Sequence, residues 1–189
     1  MNNIAIFASG SGTNAQKLME YFSTSKTAKV KLVLSNKADA FVLERAKKFG
    51  VPTVIFDRDD LYNNGRVLRM LLDNDIYFVV LAGFLWLVPT DILRHYPGRV
   101  VNIHPALLPA YGGKGMYGSR VHQAVIDNND KESGISIHYV NEHYDEGDII
   151  FQAKCEVKPD DTPESLAERI HKLEYKYFPE VVEKLIMED

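Results

Sequence analysis

Seven short runs of the chain are almost continuously apolar: IAIFA (4–8), VKLVLS (30–35), VPTVIF (51–56), YFVVLA (77–82), RVVNI (99–103), GISIHYV (134–140) and IIFQAKCEV (149–157). Runs this short, rich in Val and Ile, are what strands buried on both faces require. Between them apolar residues recur at the spacing of one helix face, which predicts helices over about 14–24, 39–49, 60–74, 118–128 and 163–187. The alternation predicts an α/β fold, a mostly parallel twisted sheet of about seven strands with helices on both faces. In the last helix Thr162 is placed to cap the N-terminus and Pro163 to fill the first helical position. Leu166, Ile170, Leu173 and Tyr177 then form one apolar stripe, and Pro179 is expected to break the helix. No repeat or linker interrupts the pattern, so residues 1–189 are expected to form a single domain.

Composition narrows the class. The chain has 189 residues, 46% hydrophobic and 25% charged, enough to bury a full core. Its one cysteine, Cys155, leaves no internal disulfide framework and no cysteine zinc site, which favours a reducing compartment, and the cytoplasm is the expected location. The net charge is −4 and Lys and Arg are scattered, so nucleic acid is not an expected partner. The start, MNNIAIFASG, lacks a basic leader, and no stretch approaches the roughly 20 apolar residues of a membrane helix, so a soluble protein without a membrane partner is expected.

In open α/β sheets ligands bind beyond the carboxyl ends of the parallel strands. That rule selects the loops 9–14, 83–88, 104–118 and 141–148. The first, SGSGTN, carries Gly10 and Gly12 between a strand and a helix, and the helix N-terminus offers backbone N–H groups to a phosphate. It is neither a dinucleotide fingerprint, for want of a third glycine and a ribose-binding acid, nor a Walker loop. Asn102 and His104 lie two apart at a strand end, so alternation puts both on one face. A lone pair of this kind is more often buried and satisfied by backbone. The segment NEHYDEGDII (141–150) changes that balance, because Asp145 or Asp148 can orient the imidazole and raise its pKa, while Asn102 supplies an amide N–H to a developing oxyanion. Spacing alone leaves the choice of acid open. No nucleophile elbow is present, which favours direct attack by a bound amine or water. His138, His143, Asp145 and Asp148 crowd one region, yet without paired helical histidines or cysteine ligands a metal site is the weaker reading, and none is expected.

The segments FASGSGTNAQKL, LSNKADAFVLERA, VVLAGF, VNIHPALLP and HYVNEHYDEGDIIFQAKCEV together resemble, in order and over nearly the whole chain, the folate-dependent phosphoribosylglycinamide formyltransferase family of purine synthesis. The resemblance implies a Rossmann-like formyltransferase fold and transfer of a formyl group from the cosubstrate 10-formyltetrahydrofolate to the amine of glycinamide ribonucleotide, without a metal. It implies Asn102, His104 and Asp145 as the catalytic residues, which prefers Asp145 over Asp148. Gly12, Thr13 and Asn14 match the phosphate turn, Glu174 the ribose ligand, and His171 the polar residue one turn before it. Phe84, Leu85, Trp86, Leu87 and Val88, with Asn102, Val140 and Tyr144, match the formyl-folate pocket. The ribonucleotide phosphate is thereby expected in the N-terminal half, and the folate and the chemistry in the C-terminal half. Related enzymes that act on tRNA or hydrolyse the folate normally add a domain for which this length leaves no room. The chain departs from the pattern at Leu85 and Trp86, where some members have Met-Arg, and in the longer loop AYGGKGMYGSRV around Lys114. The resemblance does not place, between residues 58 and 66, the arginine that some relatives carry near the folate. The remaining alternatives are formyl transfer to another amine and a noncatalytic sugar-phosphate-binding module. Oligomeric state is not legible in the sequence.

Overall fold

Each apolar run becomes a strand. In the computed structural model, which describes residues 1–188, the strands are β1 (Asn2–Phe7), β2 (Ala28–Ser35), β3 (Thr53–Ile55), β4 (Ile76–Leu81), β5 (Val100–His104), β6 (Glu132–Tyr139) and β7 (Ile149–Glu156). They form one sheet in the order β3-β2-β1-β4-β5-β6-β7. The first five are parallel; β6 runs antiparallel to β5, and β7 antiparallel to β6. The helices are α1 (Thr13–Phe22), α2 (Val42–Lys48), α3 (Arg58–Tyr62), α4 (Arg66–Asp73), α5 (Thr90–His95), α6 (Ser119–Asp127) and α7 (Pro163–Glu188).

Strand alternation divides the core in two. Ile4 and Ile6 of β1 pack with Phe78, Val80, Ile135 and Ile137 under Leu18, Phe22 and the apolar residues of α7. Ala5 and Phe7 face the other way, with Leu32, Leu34, Val79 and Leu81, against Leu61, Val67, Leu71 and Ile92 of α3, α4 and α5. Both faces of β1 are dry, which is why its sequence shows no polar alternation. Each such Leu, Ile or Phe contributes about 1.5–3 kcal/mol of burial. Strand order reverses at β1, between β2 on one side and β4 on the other, and a cleft opens beyond the carboxyl ends of β1 and β4.

Four sequence expectations change. The helix expected over 60–74 is two helices, because Gly65 sits at φ 67° and separates them, while Asp57 and Asp60 form a capping box on the first. Residues 90–95 form the short helix α5, whose six residues are too few to show a period. Pro179 does not break α7, which is continuous to Glu188; its ring is buried beside Phe178 and Val182, and that packing offsets the lost N–H. The buried stripe of α7 also differs from the expected one. It runs Leu166, Ile170, Glu174, Phe178, Val182, Ile186, every fourth residue, with Leu173 and Tyr177 packed only at its border. Thr162 and Ser165 cap α7 reciprocally, as the sequence suggests. Among the described residues no helix is long and apolar enough to cross a membrane.

Candidate active site

The cleft, about 580 Å3, is lined at one end by the turn between β1 and α1. Gly12 has φ 73°, and a Cβ there would stand 2.3 Å from Val42 Cγ2, so only glycine lets the turn approach α2 this closely. No side chain caps α1, and its first-turn N–H groups open toward the cleft that Gly12, Thr13 and Asn14 line. Beside this turn Asn14 Nδ2 donates to Glu174 Oε2 at 2.9 Å. Burial raises the Glu174 carboxyl to about 7, against the opposing hydrogen bond from Asn14. Asn14 Oδ1 is buried without a partner, and His171, one turn before Glu174, lines the same wall.

At the middle of the cleft Asn102 and His104 project from one face of β5, as their spacing predicts, and Asp145 reaches both. Asp145 Oδ2 lies 3.5 Å from His104 Nδ1, and Asn102 Nδ2 donates to Asp145 Oδ1 at 3.4 Å. Asp148 is exposed, and only its backbone carbonyl is engaged, by the Tyr139 N–H. The ring of His104 is 3% exposed, and its Nε2 is 2.7 Å from the Tyr111 carbonyl, a contact only an N–H can make. Neutral His104 therefore carries its proton on Nε2 and presents a bare Nδ1 toward Asp145. Burial lowers the pKa of His104; Asp145 and the Tyr111 carbonyl pull it upward, and His138 adds to the lowering. The expectation that the acid raises this pKa thus holds for the acid's own effect and fails for the sum. Burial opposes the charge on Asp145 too, yet His138 and His104, each through its protonated form, and the Gly113 N–H, which donates to Oδ2 at 3.0 Å, together hold the carboxyl below its ordinary range.

Sequence reasoning missed the role of His138 beside this group. It sits opposite Asn102 in the β5–β6 ladder; its Nδ1–H donates to the Tyr139 carbonyl at 2.7 Å, and its Nε2 accepts from Asn102 Nδ2 at 3.1 Å. These two bonds fix which end of the Asn102 amide is nitrogen. His143 and Asp148 are exposed, and among the described residues no group of three or more His, Cys, Asp or Glu is arranged to hold a metal ion.

A small pocket of about 50 Å3 adjoins the centre, lined by Phe84, Trp86, Leu87, Val88, Val140 and Tyr144 and sharing Asn102 and Asp145 with the cleft. Leu85 lines the cleft itself; its N–H donates to Ser9 Oγ, and its carbonyl accepts from the Tyr144 hydroxyl at 3.4 Å. Arg58, which no motif singled out, stacks its guanidinium 4.8 Å from the Trp86 ring and lines the cleft. An arginine at 58 paired with a tryptophan at 86 is thus this chain's arrangement where the sequence departs from the family pattern. His122 was also missed. It lines the cleft from α6, and burial, with repulsion from His171 and His104, pushes it down to about 4.

A glycine turn with an uncapped helix start, an aromatic pocket and an Asn/His/Asp group between them, on an open α/β sheet, have the arrangement that suits group transfer. The chain belongs to the formyl transferase family, whose profile matches residues 2–182. Within it the chain is similar to the phosphoribosylglycinamide formyltransferase of Bacillus subtilis (strain 168), at 34% identity over 98% of this chain and 95% of that protein. It is 41% identical to the chloroplastic phosphoribosylglycinamide formyltransferase of Arabidopsis thaliana over 95% of this chain. It spans only 63% of that plant protein, less than two thirds of its length. Among solved structures, glycinamide ribonucleotide transformylase 1 from Symbiobacterium toebii superposes with a TM-score of 0.90 at 32% identity, covering 100% of this chain and 89% of that one.

Proposed function

We propose that the protein transfers the formyl group of 10-formyltetrahydrofolate to the primary amine of N1-(5-phospho-D-ribosyl)glycinamide in purine biosynthesis, giving formylglycinamide ribonucleotide and tetrahydrofolate. The observation that carries this reading is the position of Asn102, His104 and Asp145 at the junction of the anion-binding cleft and the aromatic pocket, where an amine held by one meets a carbonyl held by the other. The phosphate sits on the N–H groups of Gly12, Thr13 and Asn14, in the N-terminal half. The ribose hydroxyls meet Glu174 and the neighbouring His171, which α7 returns to the same end. The pterin enters between Phe84–Val88 and Val140–Tyr144, and Arg58 faces the acidic tail of the folate. The chemistry belongs to the C-terminal half.

The amine attacks the formyl carbon and the carbonyl electrons move to oxygen, where Asn102 Nδ2 gives up its 3.4 Å contact with Asp145 Oδ1 and donates that N–H to the oxyanion. The attacking nitrogen becomes cationic and gives its proton to the bare Nδ1 of His104. Asp145, 3.5 Å away, stabilises the imidazolium so formed. The tetrahedral intermediate collapses by breaking the bond to N10, which takes the proton from His104. His104 thus starts as a neutral base rather than as an imidazolium, in keeping with its lowered pKa.

Purified protein given both substrates should produce tetrahydrofolate, followed by absorbance, only when the ribonucleotide amine is present. Production with another amine but not this one would overturn the acceptor, and none with any amine would leave a sugar-phosphate-binding module. No observation in the cleft favours either alternative.

A further inference from the structure

The loop that follows His104 touches both acid–base groups. The Tyr111 carbonyl accepts from His104 Nε2 at 2.7 Å, and two residues on, the Gly113 N–H donates to Asp145 Oδ2 at 3.0 Å. Tyr111 is at φ 57° and Gly113 at φ 97°, both in the left-handed region. Between them a Cβ on Gly112 would stand 2.7 Å from Leu108 Cδ2 and 3.3 Å from Asp145 Cβ, so the segment packs directly on the acid. A tyrosine keeps a left-handed backbone only where its surroundings hold it there. Here the holding contact is its own hydroxyl, which donates to Asp130 Oδ2 at 2.5 Å. The other oxygen of Asp130 accepts from Asn128 Nδ2 at 2.7 Å, so the anchor is itself fixed. Asp130 lies in the turn between α6 and β6 and does not line the cleft.

The two partners of His104 make opposite demands on its single proton. Asp145, a carboxylate, would draw the proton to Nδ1; the Tyr111 carbonyl draws it to Nε2. The distances, 3.5 Å to the carboxylate and 2.7 Å to the carbonyl, show the carbonyl prevailing. We propose that residues 111–113 form a positioning clamp in which the Tyr111–Asp130 hydrogen bond sets the Tyr111 carbonyl against His104, holding the ring as its Nε2–H tautomer with Nδ1 bare toward the cleft. This deepens the formyl-transfer reading, and rests on it for what Nδ1 does. The tautomer itself can be read independently.

The experiment compares wild type with Tyr111→Phe, Asp130→Ala and Asp130→Asn by 15N NMR of the histidine rings, with the His104 signals assigned from their loss in His104→Gln, and by kcat and KM across pH. His138, His122 and Asp145 face His104, and Lys114, Arg120 and His171 line the same cleft, so the profile is read as the change between variants. Wild-type His104 should show Nε2 protonated and Nδ1 bare. Tyr111→Phe and Asp130→Ala should mix in the Nδ1–H form and lower kcat about tenfold with little change in either KM. Asp130→Asn, which keeps an acceptor oxygen, should lose distinctly less. A pure Nε2–H ring in Tyr111→Phe, with a wild-type pH profile, would overturn the clamp. A wild-type protein that transfers no formyl group but whose ring loses its tautomer in Tyr111→Phe would support the clamp and overturn the functional reading instead.

Discussion

Asn102 Nδ2 faces two acceptors, His138 Nε2 at 3.1 Å and Asp145 Oδ1 at 3.4 Å, which fixes the nitrogen end of the amide, and the longer of the two contacts is the one an oxyanion would displace. Replacing Asn102 with Ala should lower kcat by about 100-fold or more, the cost of one oxyanion donor, with the circular dichroism spectrum unchanged. Near wild-type turnover would remove it from the mechanism. Asp145→Asn has a signed consequence. The carboxylate raises the pKa of His104, so its removal lowers that pKa further, and the acid limb of kcat/KM should move to lower pH while the maximum falls. An unmoved limb would mean that Asp145 acts without the imidazole. At this scale Asn102 and His104 were legible because strand alternation puts residues two apart on one face. His138 was not, since the register that sets it opposite Asn102 belongs to the pairing of two strands and is written in neither.

Helix α7 shows how an element can serve the core and the site together. Its stripe of every fourth residue is apolar except for Glu174, which the fold buries at the cleft end beside Asn14. The folded pKa is about 7, above the ordinary 4.5. Between those values the folded protein keeps a proton that the unfolded chain has released, so stability falls as pH rises through the window and the loss is complete above it. Glu174→Gln should therefore be more stable than wild type at pH 8, by up to roughly 3 kcal/mol, and no more stable at pH 4, as thermal melts at the two pH values would show. An equal gain at both would place the effect in packing. The strands were readable because both-face burial makes them uniformly apolar. The break at Gly65, the short α5 and the unbroken passage through Pro179 were not, because each depends on tertiary packing or on a span shorter than one period.

Over the whole molecule, four loops far apart in sequence meet because the strand order reverses at β1. That convergence was legible as a rule about open sheets; the antiparallel β6 and β7, which bring in His138 and Asp145, were not. The two substrates of the proposed reaction would lie on opposite sides of Asn102, so each should stabilise the protein separately, by about 2.7 kcal/mol at 100 times its Kd. Thermal shift with His104→Ala should keep both stabilisations while turnover is lost. Loss of either would mean that the side chain binds rather than reacts.

The β5–β6 ladder pairs Asn102 with His138 and His104 with Ser136, whose hydroxyl accepts the Leu108 N–H and donates to the Ala106 carbonyl. A one-residue slip there would turn every one of these side chains to the opposite face. Insertions and deletions among descendants of this chain should accordingly be tolerated in the exposed stretch 114–115 and purged from 132–139. What is inherited unchanged is less a set of residues than a count along one strand.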